Sequence, residues 1–214
     1  MKKKNELAVD RILECAKEEF MEKGFEGASM RTIAEKAGYT TGMLYGRFAD
    51  KSQLFKELVG EAADKLFDYY SGIQEEFASF SADRQKAEMH SYVDNRMDVM
   101  IDIVYDNFDA FKLIICKSAG SGYEYYVDKM IDIETKNTDR FIRELKEAGY
   151  KTNEIRADLS HILASAMLNG TFEVVSHDLP REDARYYIKQ LQDFFNAGWD
   201  RLLGFPSDWK SSLK

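Results

Sequence analysis

Apolar residues recur every three to four positions along most of the chain, which is the spacing that puts side chains on one face of an α-helix. The first such face consists of Ala8, Ile12, Ala16 and Phe20. It predicts a helix from about residue 6 to Lys23, because Gly24 follows as a residue that ends helices.

Two short helices are predicted next. Ser29 can cap a helix that reaches Ala37, and Gly38 stands where a left-handed residue is wanted after a helix. Thr40 can cap a second short helix that contains GMLYGRF. Glycine costs about 1 kcal/mol relative to alanine inside a helix, so something other than helix stability favours Gly42 and Gly46.

The apolar pattern then lengthens. It predicts further helices at residues 51–70, 82–104, 108–117, 123–148, 152 or 153 to 176, and 180–204. Asp50 can cap the first of these, with Gln53 as the reciprocal partner of a capping box. Pro180 fits the first turn of the last helix, and Gly204 ends it.

Composition supports the same architecture. The chain has 214 residues, of which 44% are hydrophobic and two are proline, whereas sheet proteins need frequent turn residues. We therefore expect an all-α fold with a head at residues 1–56, built from the short helices, and a larger helical body at residues 57–214.

Charge is unevenly distributed between these two parts. The formal net charge is −8, which argues against nucleic-acid binding by the chain as a whole. The head nevertheless holds 11 Lys/Arg and 9 Asp/Glu, whereas the body holds 19 and 29. This distribution favours contact with phosphates by the head alone.

The sequence shows no membrane or secretion signal. No stretch approaches the about 18 apolar residues of a membrane helix, and no apolar segment follows MKKKNELAVD. Cys15 and Cys116 lie far apart without CxxC spacing, which favours two buried thiols over a disulfide or a zinc site. We expect a cytoplasmic protein with no membrane partner.

Two short helices joined by a tight glycine-containing turn are typical of a helix-turn-helix, whose second helix enters the major groove of DNA. The small core that sets the crossing of the helices would consist of Ile33, Ala34, Ala37, Leu44 and Phe48. The start of the second helix carries only small residues, Thr40, Thr41 and Gly42, which would let it approach the DNA backbone closely.

The head also resembles a known family. Similarity to the DNA-binding domain of TetR-type (tetracycline-repressor-like) regulators covers about residues 7–58 and is carried by Phe20, Gly24, Ile33, Ala34, Ala37, Gly38, Gly42, Tyr45, Phe48, Lys51 and Leu54. The resemblance implies that the body binds a ligand and dimerises. For the body, the resemblance is one of length and architecture only.

The resemblance implies a set of contacts with double-stranded DNA. The residues implied to contact phosphates are Thr32, Thr41, Tyr45 and Lys51, and those implied to lie near base edges or the flanking backbone are Thr40, Met43 and Arg47. Lys51 begins a helix, where a positive charge opposes the helix dipole, so a phosphate partner would explain it. The chain departs from the commonest family pattern at Arg47, where His or Tyr is frequent.

Methionine and aromatic residues in the body suggest a pocket for a small-molecule effector. The candidate lining consists of Met97, Met100, Phe111, Tyr126, Met130 and Phe172. Methionine adapts to irregular packing, so these residues could equally be plain core. Asp94, Asp98 and Asp102 share a helical face opposite the methionines, which favours exposure to solvent over binding of a cationic ligand.

The last two helices are predicted to form the dimer. The last helix carries two apolar stripes, and a helix that is apolar on two sides must bury both. The resemblance implies that this pair forms a four-helix bundle with a second copy. The candidate interface residues are Leu168, Thr171, Tyr187, Phe194 and Trp199.

No residues point to catalysis. His90, His161 and His177 lack metal-ligand spacing, and no Ser, Cys or Lys has a recognisable base beside it in a motif. We therefore expect no enzyme activity, no metal and no cofactor. The interpretation is a homodimeric repressor that a small-molecule effector releases from a palindromic operator.

Two alternatives remain open. One is a DNA-binding protein of this fold without an effector, in which the methionine-rich body only supports the dimer. The other is a helical ligand-sequestering protein or an enzyme with a vestigial DNA-binding head.

Overall fold

A computed structural model describes the backbone of residues 2–205 and the side chains of residues 7–205 except 95 and 157. The α-helices within this range are α1 (Lys2–Gly27), α2 (Met30–Ala37), α3 (Thr41–Tyr45), α4 (Lys51–Ala78), α5 (Ala82–Asp106), α6 (Phe108–Lys117), α7 (Tyr126–Glu147), α8 (Ala157–Ser176) and α9 (Arg181–Leu203). A 3₁₀ turn at Tyr123–Tyr125 precedes α7. The described residues contain no strand, so the predicted all-α fold is confirmed.

The predicted helix boundaries that differ most from the structure lie in α4 and α8. Helix α4 continues eight residues beyond Tyr70 to Ala78. Helix α8 begins at Ala157 and not at residue 152 or 153. The backbone N–H of Asn153 instead donates to the carbonyl of Leu203 (3.4 Å), and its amide nitrogen donates to the carbonyl of Arg201 (3.5 Å). The segment before α8 is therefore tied to the end of α9 and is not helical.

Helix α1 contains the break predicted at Gly24. This residue has φ 70° and ψ 171°, a conformation that side-chain-bearing residues rarely adopt, and helical turns resume up to Gly27. The predicted apolar face of α1 is buried. Cys15 is buried as predicted, whereas Cys116 is exposed, so the prediction of two buried thiols is wrong.

The chain forms two compact units. The first comprises residues 1–66 and 106–126, and thus α1 to α3, the first part of α4, and α6. Its core holds the rings of Phe20, Phe25 and Phe55, with centroids 5.1 to 6.0 Å apart. Lys17 of α1 and Asp109 of α6 form an ion pair of 2.6 Å. Helix α6 therefore packs with the helices of the predicted head.

The second unit comprises residues 67–105 and 127–214. One of its core clusters is formed by Phe141, Ile142, Leu145 and Leu203, against which Met89, Tyr150, Ile155 and Trp199 pack. The rings of Phe77 and Phe141 lie 6.1 Å apart and bring α4 against α7. The functional division at residue 56 stays a prediction, because compactness alone does not show which residues bind DNA.

Within the described range, no helix is long and apolar enough to cross a membrane. The same residues contain no group of three or more His, Cys, Asp and Glu side chains that could hold a metal ion.

Candidate functional site

The connection between α2 and α3 is built from local capping interactions. The Ser29 hydroxyl accepts from the N–H of Thr32 (3.4 Å), and the Thr40 hydroxyl accepts from the N–H of Met43 (3.2 Å). Gly38 ends α2 with φ 79°, and the Tyr39 N–H donates to the carbonyl of Ala34 (2.9 Å). Both predicted N-caps and the left-handed turn residue are confirmed.

Small apolar residues fix the crossing of α2 and α3. Ile33, Ala34 and Leu44 are fully buried, and Phe48 and Ala37 are almost so. A rigid core beneath a tight turn holds the opposite side of α3 in a defined orientation. The predicted core of the helix-turn-helix is confirmed.

Gly42 has no structural reason to be glycine in the free chain. A Cβ atom built on it meets no atom within 4 Å, and its φ is not positive. Alanine would therefore fit and would stabilise the helix. The bare backbone at Gly42 makes sense if another molecule must approach it.

The helix-turn-helix face, defined as Thr32, Thr40, Thr41, Gly42, Met43, Tyr45, Arg47 and Lys51, is accessible. Tyr45 and Met43 are exposed at 51% and 36%. Thr40 and Gly42 are also exposed, whereas Thr32, Thr41, Arg47 and Lys51 are half-buried. The structure thus brings the predicted DNA contacts to the surface of one unit. Their contact with DNA stays a prediction.

Lys51 has partners within the chain that the sequence did not reveal. Its ammonium donates to the carbonyls of Glu26 (3.0 Å) and Ala28 (3.1 Å) at the end of α1, and it lies 4.6 Å from the centroid of the Phe25 ring. These carbonyls offset the unfavourable position of a cation at a helix N-terminus. An ammonium has three donors, so these two carbonyls leave one N–H of Lys51 unused.

An ion pair between Lys36 and Glu19 orients α2 on α1. Lys36 donates to Glu19 over 2.7 Å, and the Glu19 side chain is buried. This hydrogen bond raises the pKa of Lys36. The ammonium of Lys36 is therefore held against α1 and fixes α2 on that helix.

Asp50 and Gln53 form a variant of the predicted capping box. The Asp50 carboxylate accepts from the N–H of Gln53 (2.8 Å). The Gln53 side chain accepts from the N–H of Ala49 (2.6 Å) and not from that of Asp50. The side chain of Gln53 therefore reaches one residue further back, into the loop after α3, and fixes the path from α3 into α4.

The predicted pocket residues fall in both units. Phe111 and Tyr126 lie in the first, where their rings are 6.3 Å apart and the Tyr126 hydroxyl donates to the carbonyl of Ala63 (2.9 Å). The other four residues lie in the second, where Met130 and Phe172 are buried and Met97 and Met100 are half-buried. Their contact with an effector stays a prediction.

The three aspartates on α5 are not free on the surface. Asp94 pairs with Lys189 (3.3 Å), while Asp98 and Asp102 pair with Arg185 of α9. The side chain of Asp98 is 73% exposed, in agreement with the expected solvent-facing row, but α9 supplies cations to all three aspartates, which the prediction did not include. The pattern i, i+4, i+8 repeats on both helices and was visible in the sequence of α9 as Arg181, Arg185 and Lys189.

A polar cluster between α4 and α7 was missed by sequence reasoning. The Tyr70 hydroxyl (2.6 Å) and the Gln74 amide (2.5 Å) both donate to Oε2 of Glu134. The amide of Asn137 donates to Gln74 (3.2 Å). Burial raises the pKa of Glu134 despite these two hydrogen bonds. In the sequence, Glu134 and Asn137 are polar residues spaced to lie on the same α7 face as Met130, and this spacing could have indicated the cluster.

The predicted dimer residues differ in accessibility. Phe194 is 73% exposed, whereas Leu168 is 4% exposed within a single chain. Thr171 and Tyr187 are half-buried, and Trp199 packs against the core cluster of its own chain. Large exposed apolar residues on α8 and α9 are Ile162, Tyr186 and Phe194. Participation of these residues in a dimer stays a prediction.

Comparison with known proteins shows a similarity in the N-terminal part of the chain. Residues 12–58 match the family model for bacterial regulatory proteins, tetR family. This segment contains the whole helix-turn-helix face.

Related proteins and a related structure extend the similarity. The HTH-type transcriptional regulator UidR of Escherichia coli (strain K12) is 22% identical over 173 residues, 81% of this chain and 82% of UidR. The HTH-type transcriptional repressor AcnR of Corynebacterium efficiens is 40% identical over 55 residues, 26% of this chain and 29% of AcnR. The crystal structure of the TetR family regulator PfmR from Thermus thermophilus has a TM-score of 0.53 at 21% identity and covers 86% of this chain and 97% of PfmR.

Proposed function

We propose that this chain, whose residues 12–58 match the family model for bacterial regulatory proteins, tetR family, is a cytoplasmic transcriptional repressor. In this proposal it binds a palindromic operator as a homodimer and leaves it when a small molecule binds the body. The observation that carries the proposal is the capped helix-turn-helix with an unfilled space at Gly42. Repression is supported by the name of the relative AcnR, which is a repressor.

Different residues of the helix-turn-helix face would contact the phosphates and the base edges of DNA. A short helix with a bare backbone at Gly42 can enter a major groove about 12 Å wide. Tyr45 offers an exposed hydroxyl, and Lys51 offers a remaining N–H, as donors to phosphates. Thr40, Met43 and Arg47 would then lie nearest the base edges.

Binding to a palindrome requires two copies of the chain. Recognition helices in a dimer must lie about 34–36 Å apart, or a multiple of that distance, to enter major grooves on one side of DNA. The exposed apolar residues Ile162, Tyr186 and Phe194 on α8 and α9 support a dimer through these helices. Isolated monomers would leave this apolar surface in water.

Release by an effector requires coupling between the body and the head. Helix α4 is continuous from Lys51 to Ala78 and therefore carries both a proposed phosphate contact and residues of the second unit. A coupling free energy of about 1–3 kcal/mol changes operator affinity several-fold or more. An effector that favours a different position of α4 would weaken DNA binding.

Selection of DNA fragments by the purified full-length chain tests this proposal. We expect enrichment of an inverted repeat whose half-sites lie about 10 base pairs apart or a multiple of that spacing. Enrichment of no sequence, together with failure to retard DNA from upstream of its own coding region, would instead favour a sequestering protein or an enzyme with a vestigial head.

A further inference from the structure

We propose that Glu134, with Tyr70 and Gln74, is the polar recognition point for an effector that carries a protonated amine on an apolar body. The proposal deepens the function proposed above and rests on it. It assigns a chemical class to the effector and adds residues outside the methionine and aromatic set predicted from sequence.

The carboxylate of Glu134 lacks a counter-ion among the described residues. Two neutral donors, the Tyr70 hydroxyl and the Gln74 amide, contact the Glu134 carboxylate. Within the described part of the chain, no Lys, Arg or His forms an ion pair with it or lowers its pKa. Carboxylates removed from water are normally paired with a cation, so this site lacks one.

Glu134 is desolvated but not closed off from solvent. Desolvation is the largest influence on its carboxylate, as expected for a group surrounded by protein. The side chain nevertheless keeps part of its surface open. Since part of the side chain is open, a ligand can reach this otherwise desolvated carboxylate.

The two carboxylate oxygens of Glu134 differ in their hydrogen bonds. Both donors contact Oε2, and Oε1 receives no hydrogen bond from the described residues. Asn137 donates to the oxygen of the Gln74 amide and so aims the nitrogen of that amide at Glu134. An ionised carboxylate can only accept hydrogen bonds, so a ligand group that hydrogen-bonds to Oε1 must be a donor. A cationic donor would also balance the negative charge of Glu134.

Apolar side chains flank the Glu134 cluster along α4 and α7. One turn beyond the Gln74 and Asn137 pair, the rings of Phe77 and Phe141 meet at 6.1 Å. One turn before Glu134 on the same face of α7, Met130 is fully buried. An apolar ligand body with a single ammonium group matches this arrangement better than a small hydrated cation.

Calorimetric titration of the full-length chain with n-octylammonium, 1-octanol and octanoate tests the proposal. On the unmodified chain we expect octylammonium to bind more tightly than 1-octanol, and octanoate to bind least. In the Glu134→Gln variant, octylammonium should lose about tenfold or more in affinity, because a hydrogen bond to a charged group is lost. The Asp132→Asn variant, altered at an exposed residue of the same helix, should bind as the unmodified chain does.

Octylammonium that binds no better than 1-octanol to the unmodified chain would overturn the proposal, and this comparison needs no variant. Equal affinity of a folded Glu134→Gln variant for octylammonium would also overturn it. The unmodified chain and the Glu134→Gln variant should both retard the selected DNA, because loss of the amine site leaves DNA binding intact. Failure of the proposed function would instead abolish retardation by the unmodified chain.

Discussion

Gly42 lowers helix stability without relieving any contact in the free chain. A Cβ atom at this position would lie in open space, and glycine is the poorest helix former apart from proline. Lys51 differs, because the carbonyls of Glu26 and Ala28 already give it a role in the fold. At the residue scale, function is therefore tested most cleanly at Gly42.

Replacing Gly42 by alanine should increase stability and weaken DNA binding. The added methyl group fits the free chain and restricts the unfolded chain, so the free energy of unfolding should rise by about 0.5 kcal/mol. The same methyl group would obstruct close approach to DNA. Urea unfolding and operator titration of one variant measure both effects.

Gly72→Ala is the matched control for this substitution. Gly72 is an exposed residue of α4 in the second unit, and a Cβ atom built on it would meet nothing within 4 Å. This variant should gain similar stability and keep operator affinity. Unchanged affinity of Gly42→Ala would contradict the close approach.

Replacing Lys51 by alanine should affect both folding and DNA binding. Loss of the hydrogen bonds to two carbonyls should reduce the free energy of unfolding by about 1 kcal/mol. Loss of a phosphate contact should weaken binding to all sequences about equally and lower the salt slope of binding by about 1. The control Lys65→Ala, at an exposed residue later in α4, should leave the slope unchanged. An unchanged slope for Lys51→Ala would contradict the phosphate contact.

Glu134 should give an unusual dependence of stability on pH. Burial raises its pKa above the ordinary 4.5, so the folded chain holds this proton more tightly than the unfolded chain does. The resulting stability is fully present below pH 4.5 and is lost as the pH rises through the raised pKa. Glu134→Gln does not titrate, so its stability relative to the unmodified chain should increase with pH. A constant difference in urea unfolding across this range would contradict the raised pKa.

At the scale of elements, the sequence predicts the helix caps and turns, because these depend on interactions between residues that are close in the chain. Ser29, Gly38 and Thr40 act on groups within five residues, so their roles could be predicted from spacing. Distant partners could not be predicted in this way, because they depend on how helices pack. Lys51 reaches carbonyls 25 and 23 residues away, and Glu134 meets a hydroxyl 64 residues away.

Two exposed aromatic residues on α9 specify the predicted dimer interface more closely. Tyr186 and Phe194 lie eight residues apart, hence on one face of the helix, and both are largely exposed. The double variant Tyr186→Glu and Phe194→Glu should therefore remain folded and sediment as a monomer. Tyr125→Glu, at an exposed aromatic residue outside α8 and α9, should sediment as the unmodified chain does. A folded dimer of the double variant would contradict this interface.

At the scale of the whole molecule, two properties of the chain point in opposite directions. The net charge of −8 opposes association with DNA, whereas the predicted DNA contacts of the helix-turn-helix face lie in the part of the chain with a positive balance. Binding must therefore depend on that face and not on general attraction to phosphates. A protein of this kind should discriminate strongly between sequences.

The most direct measurement is the affinity of the full-length chain for the selected operator relative to a shuffled fragment of equal length at one fixed salt concentration. We expect a ratio of about 10³ or more, as is typical of sequence-specific DNA-binding proteins. A ratio near unity would contradict the central claim that this chain is a sequence-specific regulator.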